Sequence, residues 1–386
     1  MAYRAHSALL FLGGCAALFL FGVVLAVLGT VFGLPEMQAR LHLSFAQTGH
    51  VFLLTYLGIF VANLAVGPLI DALGAKRVLL ISALLVAAAL GAFTRVYSFL
   101  GTVPVMLLLG LGSGGLCTGG NVLVSDHFAE QRGAMLNLLG VSFPVGALLV
   151  PMLAIGIGER FRIAHLLWFS AALALACGLL YATLTLPQAR AAGRVSFLDT
   201  LRVARSPVLA WTGILLFFES GNEAAASGWT VIYARTIGLG PRSATLVLAW
   251  YWVGTMISRL LAPRVLRRLG KARTILAGAM GSIAGCILLL TARSVATLAV
   301  GATAVGFSFG PIFQTALGIA GDRHPDHSGS VFGLMFAFAL LGAMASPWAI
   351  GQISQNSTVR YGMMVPLVGA VCICLMAVRL ARQERG

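Results

Sequence analysis

The sequence predicts an all-α membrane protein: twelve transmembrane helices in two six-helix bundles related by a pseudo-two-fold axis along the membrane normal. Three observations predict it. The 386 residues are 59% apolar and only 10% charged, with a mean hydropathy of +0.95, more apolar surface than a soluble domain can hide. Apolar runs of about 20 residues, each long enough to span a bilayer, alternate with turn or charge signals. A shift of 196 residues pairs Gly74 with Gly270, Gly110 with Gly306, Asp126 with Asp322, Gly146 with Gly342 and Pro151 with Pro347. A duplicated half of parallel topology, with a site near the midplane between the copies, is what such a repeat implies physically.

Taken in order, the spans fall at 9–34, 48–70, 78–95, 99–125, 133–157, 164–186, 208–234, 243–263, 274–292, 295–320, 329–352 and 360–380. The first apolar run is too long for a signal-peptide core and lacks a convincing cleavage site, so it reads as a spanning helix. An even number of spans puts both termini on one side. The N-terminal side carries 18 of the 26 Lys and Arg, Arg259 among them, against 8 on the other. This bias predicts that both termini are cytoplasmic and that the protein lies in the cell (inner) membrane. Residues 187–207 form the one longer connection, basic and opened by Pro187. They divide an N-terminal bundle, 1–186, from a C-terminal bundle, 208–386.

The net charge of +15 is spread singly or in short clusters, with no basic face and no nucleic-acid motif. The six cysteines sit inside apolar runs without metal-ligand spacing and read as small buried hydrophobes. No P-loop or nucleophile constellation is present, so the expectation is no enzyme, no ATP drive, no cofactor and no metal.

The seventh span is the unusual one. Phe217 to Tyr233 interrupts an apolar run with Glu219, Asn222, Glu223 and two glycines. At helical spacing Glu219, Asn222, Glu223, Ala226 and Thr230 share one face. The acids lie ~18 and ~24 Å beyond Pro207 at about 1.5 Å per residue, well inside the bilayer. Two carboxyl groups one turn apart in a poorly solvated place do not both ionise cheaply, so one keeps a proton near neutral pH. Glu223 is the expected proton carrier and Glu219 the neighbour that tunes it. The structural alternative is that each pairs with an arginine or other donors of a neighbouring helix and only fixes packing. Gly221 and Gly228 suggest a locally weakened helix.

The loop after span two, Gly67-Pro-Leu-Ile-Asp71-Ala-Leu-Gly74-Ala-Lys76-Arg77, resembles the signature G-x-L-x-D-x-x-G-x-[KR]-[KR] of the major facilitator superfamily. Asp71 suits a helix cap or a basic partner, and Gly74 suits the turn. The resemblance implies a gating role for Asp71, Gly74 and Arg77; Asp126 and Arg132, around the loop between spans four and five, join this set. The second copy puts Arg267 where the acid would stand, which argues against a symmetrical latch. Drug–proton antiporters of the family carry an arginine where this chain has Met106, and a fuller glycine–proline motif than Gly140-Val-Ser-Phe-Pro144-Val-Gly146. Both departures lower the antiporter reading. Gly221-Asn-Glu223-Ala-Ala-Ala-Ser227-Gly228-Trp229, with Tyr233, and Gly306-Phe-Ser-Phe-Gly310-Pro311-Ile-Phe-Gln314 are similar to the fucose–proton symporter branch and its glucose-transporting relatives.

That resemblance implies a secondary active transporter of a small polar solute, a sugar or sugar-like compound, moved by proton-coupled alternating access, with sodium the other candidate ion. Amides, carboxylates and aromatic faces recognise sugars, so the candidate solute contacts are Asn222, Trp229, Gln314, Asn121, Asn63, Tyr56, Asn137 and Tyr251. Against this stands the ordinary role of a lone intramembrane amide as glue between helices, and of Trp250-Tyr251-Trp252 as packing. Glu36 and Glu159 fall at outer helix ends and read as solvated. The alternatives are efflux of an amphipathic drug or organic anion, which the arginines could serve, and a non-transporting membrane sensor on the same fold. The sensor would need a signalling domain, which the sequence does not offer. The expected partners are the solute, protons and the lipid bilayer, without nucleic acid, and the expected state is a monomer.

Overall fold

The computed structural model describes residues 2–128, 132–156, 162–184, 206–323 and 328–383. Fifteen helices are described: α1 Ala2–Val31, α2 Pro35–Leu41, α3 Phe45–Leu73, α4 Ala75–Phe93, α5 Phe99–His127, α6 Arg132–Gly156, α7 Ile163–Thr183, α8 Pro207–Thr236, α9 Pro241–Leu269, α10 Lys271–Thr291, α11 Val295–Phe309, α12 Ile312–Arg323, α13 Ser328–Asn356, α14 Val359–Gly362 and α15 Met364–Gln383. Among the described residues there is no strand. Eleven segments are long and apolar enough to cross a membrane, α11 and α12 together forming one of them and α14 with α15 another. The remaining expected span, α8, is 30 residues long but too polar to qualify on composition. Two of the polar residues near its middle are nevertheless buried, Glu219 at 0% exposure and Asn222 at 1%, which is how an intramembrane polar group is tolerated.

The chain divides into two compact units, Met1–Leu43 with Leu54–Ala192 and Ser44–Leu53 with Gly193–Gly386. The division therefore passes through α3, whose first turns group with the second unit. Within the first unit α1 lies against α5, α6 and α7, and α4 against α5 and α7. Within the second, α8 lies against α13 and α15, and α10 against α11 and α15.

The repeat shows in how each unit packs. A Cβ on Gly110 would strike the Thr55 carbonyl, and one on Gly306 would strike that of Tyr251. Gly58 likewise meets Leu107, and Gly254 meets Thr303. All four pairs obey the 196-residue shift. Only a missing side chain lets two backbones approach this closely, which is the small-residue packing typical of membrane helices. Gly74 and Gly270, also related by the shift, both hold left-handed φ angles, 82° and 77°, and each precedes a helix start.

Five local features go beyond or depart from the sequence expectations. The first span is followed by the short α2, with Pro35 at its start, where a missing N–H costs nothing. Glu36 on α2 accepts the Ile163 amide of α7 at 2.9 Å, so it caps a helix end instead of standing only in solvent; Glu159 lies outside the described residues. Arg40 donates to the Phe93 carbonyl at 2.9 Å and lies over the Phe93 and Tyr97 rings. Burial lowers its pKa, against the opposing influence of Tyr97 and Glu36. The tenth span breaks at Gly310-Pro311, because Pro311 has no N–H to continue the ladder. Finally, α8 runs unbroken through Gly221 and Gly228. These glycines are close-approach points, against Ser346 and Gly342 of α13 and the Phe52 ring of α3.

Candidate functional site

The site is built on α8 and the neighbouring α9. Glu219 is fully buried. Its Oε2 accepts the Ser220 hydroxyl at 3.0 Å, while Oε1 has no hydrogen-bond partner among the described residues. One turn on, Glu223 Oε1 lies 3.6 Å from Arg259 Nη2, with side-chain exposures of 17% and 14%. Asn222 donates from Nδ2 to the Pro366 carbonyl at 3.0 Å, and its Oδ1 is unpartnered. The cluster thus holds two carboxyl groups and one cation in a place with little water. Such an arrangement binds or releases a proton with a large change in local energy, because an uncompensated charge there is costly.

Arg259 is the residue the sequence reading placed wrongly. The charge count places it among the loop charges, yet it lies inside α9, ten residues before Leu269. A signal did exist: the 196-residue shift sets Arg259 opposite Asn63, itself a polar residue inside a span.

The other predicted residues do not gather around this cluster. Trp229 is fully buried, gives its indole N–H to the Pro347 carbonyl at 3.1 Å, and packs beside the Phe45 and Phe52 rings. Tyr251 is also buried, edge-on to Trp252 with centroids 5.0 Å apart. Gln314 is exposed on α12. In the first unit, Thr118 donates to Asn63 Oδ1 at 2.7 Å across α5 and α3. Asn121, one turn along α5, donates to the Cys117 carbonyl at 2.8 Å. Tyr56 is buried on α3. Arg132 and Asn137 lie on α6, with side chains outside the described residues.

Of the gating set, Gly74 makes the tight turn and Arg77 is exposed. Asp71 is exposed as well and does not cap α4, whose N-cap is Gly74 with no side-chain bond. The reason is geometric: Asp71 still belongs to α3, so it precedes the turn instead of opening the next helix. Asp126 is exposed near the end of α5. Its repeat mate Asp322 pairs with Lys271, which also donates to the Gly318 carbonyl, a tie the sequence reading missed.

The profile of the Major Facilitator Superfamily matches residues 11–347 and, in a second overlapping match, 215–386. The chain belongs to the major facilitator superfamily. Its apolar segments make it a multi-pass membrane protein of that superfamily. It is 24% identical over 174 residues to an uncharacterized MFS-type transporter of Yersinia pestis, covering 45% of this chain and 44% of that one. Over 135 residues it is 32% identical to the sodium-dependent glucose transporter 1 of Rattus norvegicus, 34% of this chain and 27% of the relative. A putative glucose/galactose transporter of Helicobacter pylori is 25% identical over 176 residues, 44% and 42% of the two chains. The matches thus span less than half the length of these relatives. Among solved structures, a crystal structure of the nucleoside transporter NupG superposes with a TM-score of 0.77 at 16% identity, covering 97% of this chain and 99% of that one. This establishes the superfamily fold.

Proposed function

We propose that this superfamily member is a secondary active transporter that moves a small polar solute, a sugar or sugar-like compound, by proton-coupled alternating access. One observation carries the coupling: a fully buried carboxyl group, Glu219, stands one turn from the ion pair of Glu223 and Arg259. A membrane interior tolerates such a group only where it works or is fully paired, and Glu219 has no cation of its own among the described residues. The sugar reading is supported by the motif around Glu223 on α8 and by the names of the rat and Helicobacter pylori relatives. Gln314, Asn63 and Asn121 are the amides we assign to the solute. Trp229, Asn222 and Tyr251 we assign to holding α8 and α9 in place, because they are buried. The halves 1–186 and 208–386, joined by 187–207, are the bodies that alternate, with Gly74 and Arg77 at a gating turn.

Purified protein in vesicles, given radiolabelled D-glucose, D-galactose and L-fucose under a pH gradient or a sodium gradient, tests the reading. The pH gradient should drive accumulation. Joint Glu219→Gln and Glu223→Gln substitution should abolish accumulation yet spare solute exchange, which needs no proton release from the empty carrier. Accumulation by the double variant at the wild-type level, or accumulation driven by sodium alone, would refute proton coupling at α8.

A further inference from the structure

We propose that the two carboxyl groups of α8 rest in different states, Glu219 protonated and Glu223 ionised against Arg259, with Arg259 the positioning residue that keeps them so. The proposal rests on the coupling role assigned above and apportions it between three side chains. The geometry is unequal. Glu223 has a guanidinium at 3.6 Å. Among the described residues Glu219 has only the Ser220 hydroxyl, on one oxygen, and none donates to the other. A carboxylate wants donors on both oxygens, and a buried one wants a cation as well. A carboxylic acid needs neither.

The surrounding helices offer Glu219 no substitute. α11 and α13 carry no titratable residue. On α12 Asp322 is engaged by Lys271, and Arg323 is the final residue of the helix. On α14 are Arg360 and Tyr361, and α15 adds Cys372, Cys374, Arg379 and Arg382, Arg379 stacked on Trp211 and Arg382 in the last turn with its side chain outside the described residues. His50 bonds within α3 to the Ala46 carbonyl. On α9 Tyr251 is buried, and Arg242, Arg264, Arg267 and Arg268 are spread toward its two ends. Among these, Arg259 alone forms an ion pair with an α8 carboxylate. Any event that draws Arg259 away leaves Glu223 without its cation. The two carboxyls, about 5–6 Å apart at their Cβ atoms by helical spacing, do not stand with an uncompensated charge, so Glu223 takes up a proton of its own beside the one Glu219 holds.

Infrared difference spectroscopy of the purified protein at neutral pH reads this directly, through the C=O stretch of a protonated carboxyl. Wild type should show one such buried group. Glu219→Gln should lose it and Glu223→Gln should keep it. Arg259→Gln should roughly double it, as Glu223 takes up a proton, and Arg259→Lys should restore the wild-type intensity. If Arg259→Gln does not fold, the Lys variant and the two Gln variants still decide. A wild-type spectrum without the band would overturn the proposal, as would a band that survives Glu219→Gln and vanishes in Glu223→Gln. So would an Arg259→Gln band of unchanged intensity. The measurement needs neither solute nor gradient. A failure of proton-driven uptake therefore strikes the functional reading alone, and a failure here strikes only the assignment of states.

Discussion

Trp229 illustrates how a residue's chemistry leaves its role open until its neighbours are known. An indole beside two carboxyl groups reads as a stacking platform for a sugar, yet its N–H is spent on the Pro347 carbonyl and no surface is left. Trp229→Phe keeps the ring and removes the donor. It should lower stability by ~1 kcal/mol, read from thermal unfolding in detergent, and leave solute affinity unchanged. A tenfold loss of affinity, ~1.4 kcal/mol, would return Trp229 to the solute. Glu36 is the converse case, an acid that looked idle and caps α7 through Ile163. Glu36→Ala should cost roughly 1 kcal/mol in the same assay. Neither role was legible in the sequence, because each depends on a backbone group more than a hundred residues away.

At the scale of elements the small-residue crossings are the strongest physical constraint. Gly110 against Thr55 in the first unit and Gly306 against Tyr251 in the second leave no room for a side chain. Gly110→Val and Gly306→Val should each destabilise by about 1–3 kcal/mol or more through overpacking, with similar losses in the two halves. Widely different melting temperatures for the two variants would argue that the repeat-related crossings are not equivalent in energy. The helix breaks were half legible. Pro311 signals the interruption between α11 and α12, since any chain must lose a ladder bond there. Gly221 and Gly228 suggested an interruption in α8 that did not occur, because a glycine also serves where a neighbouring helix or ring must come close.

For the whole molecule, orientation is the property that the charge bias addresses. With Arg259 inside α9, the bias becomes 17 to 8, still toward the side of the Gly74 and Gly270 turns. A cysteine in place of exposed Arg268 should therefore label only from the cytoplasm, and one in place of Arg242 only from outside. Labelling of both from the same face would contradict the spans, and an exchange of the two faces would contradict the bias.

The number of spans, their approximate bounds, the duplicated halves and the presence of acids within span seven follow from the sequence by itself. The reason is that a bilayer imposes length, apolarity and paired backbone groups on each segment independently of its neighbours. Only the tertiary structure decided that Glu223 has Arg259 for a counter-ion, that Glu219 forms no ion pair among the described residues, and that Asn222 and Trp229 are turned to the carbonyls of Pro366 and Pro347. Those are pairings between helices. One helix's own periodicity says which face a side chain occupies, but not which group of another helix stands opposite.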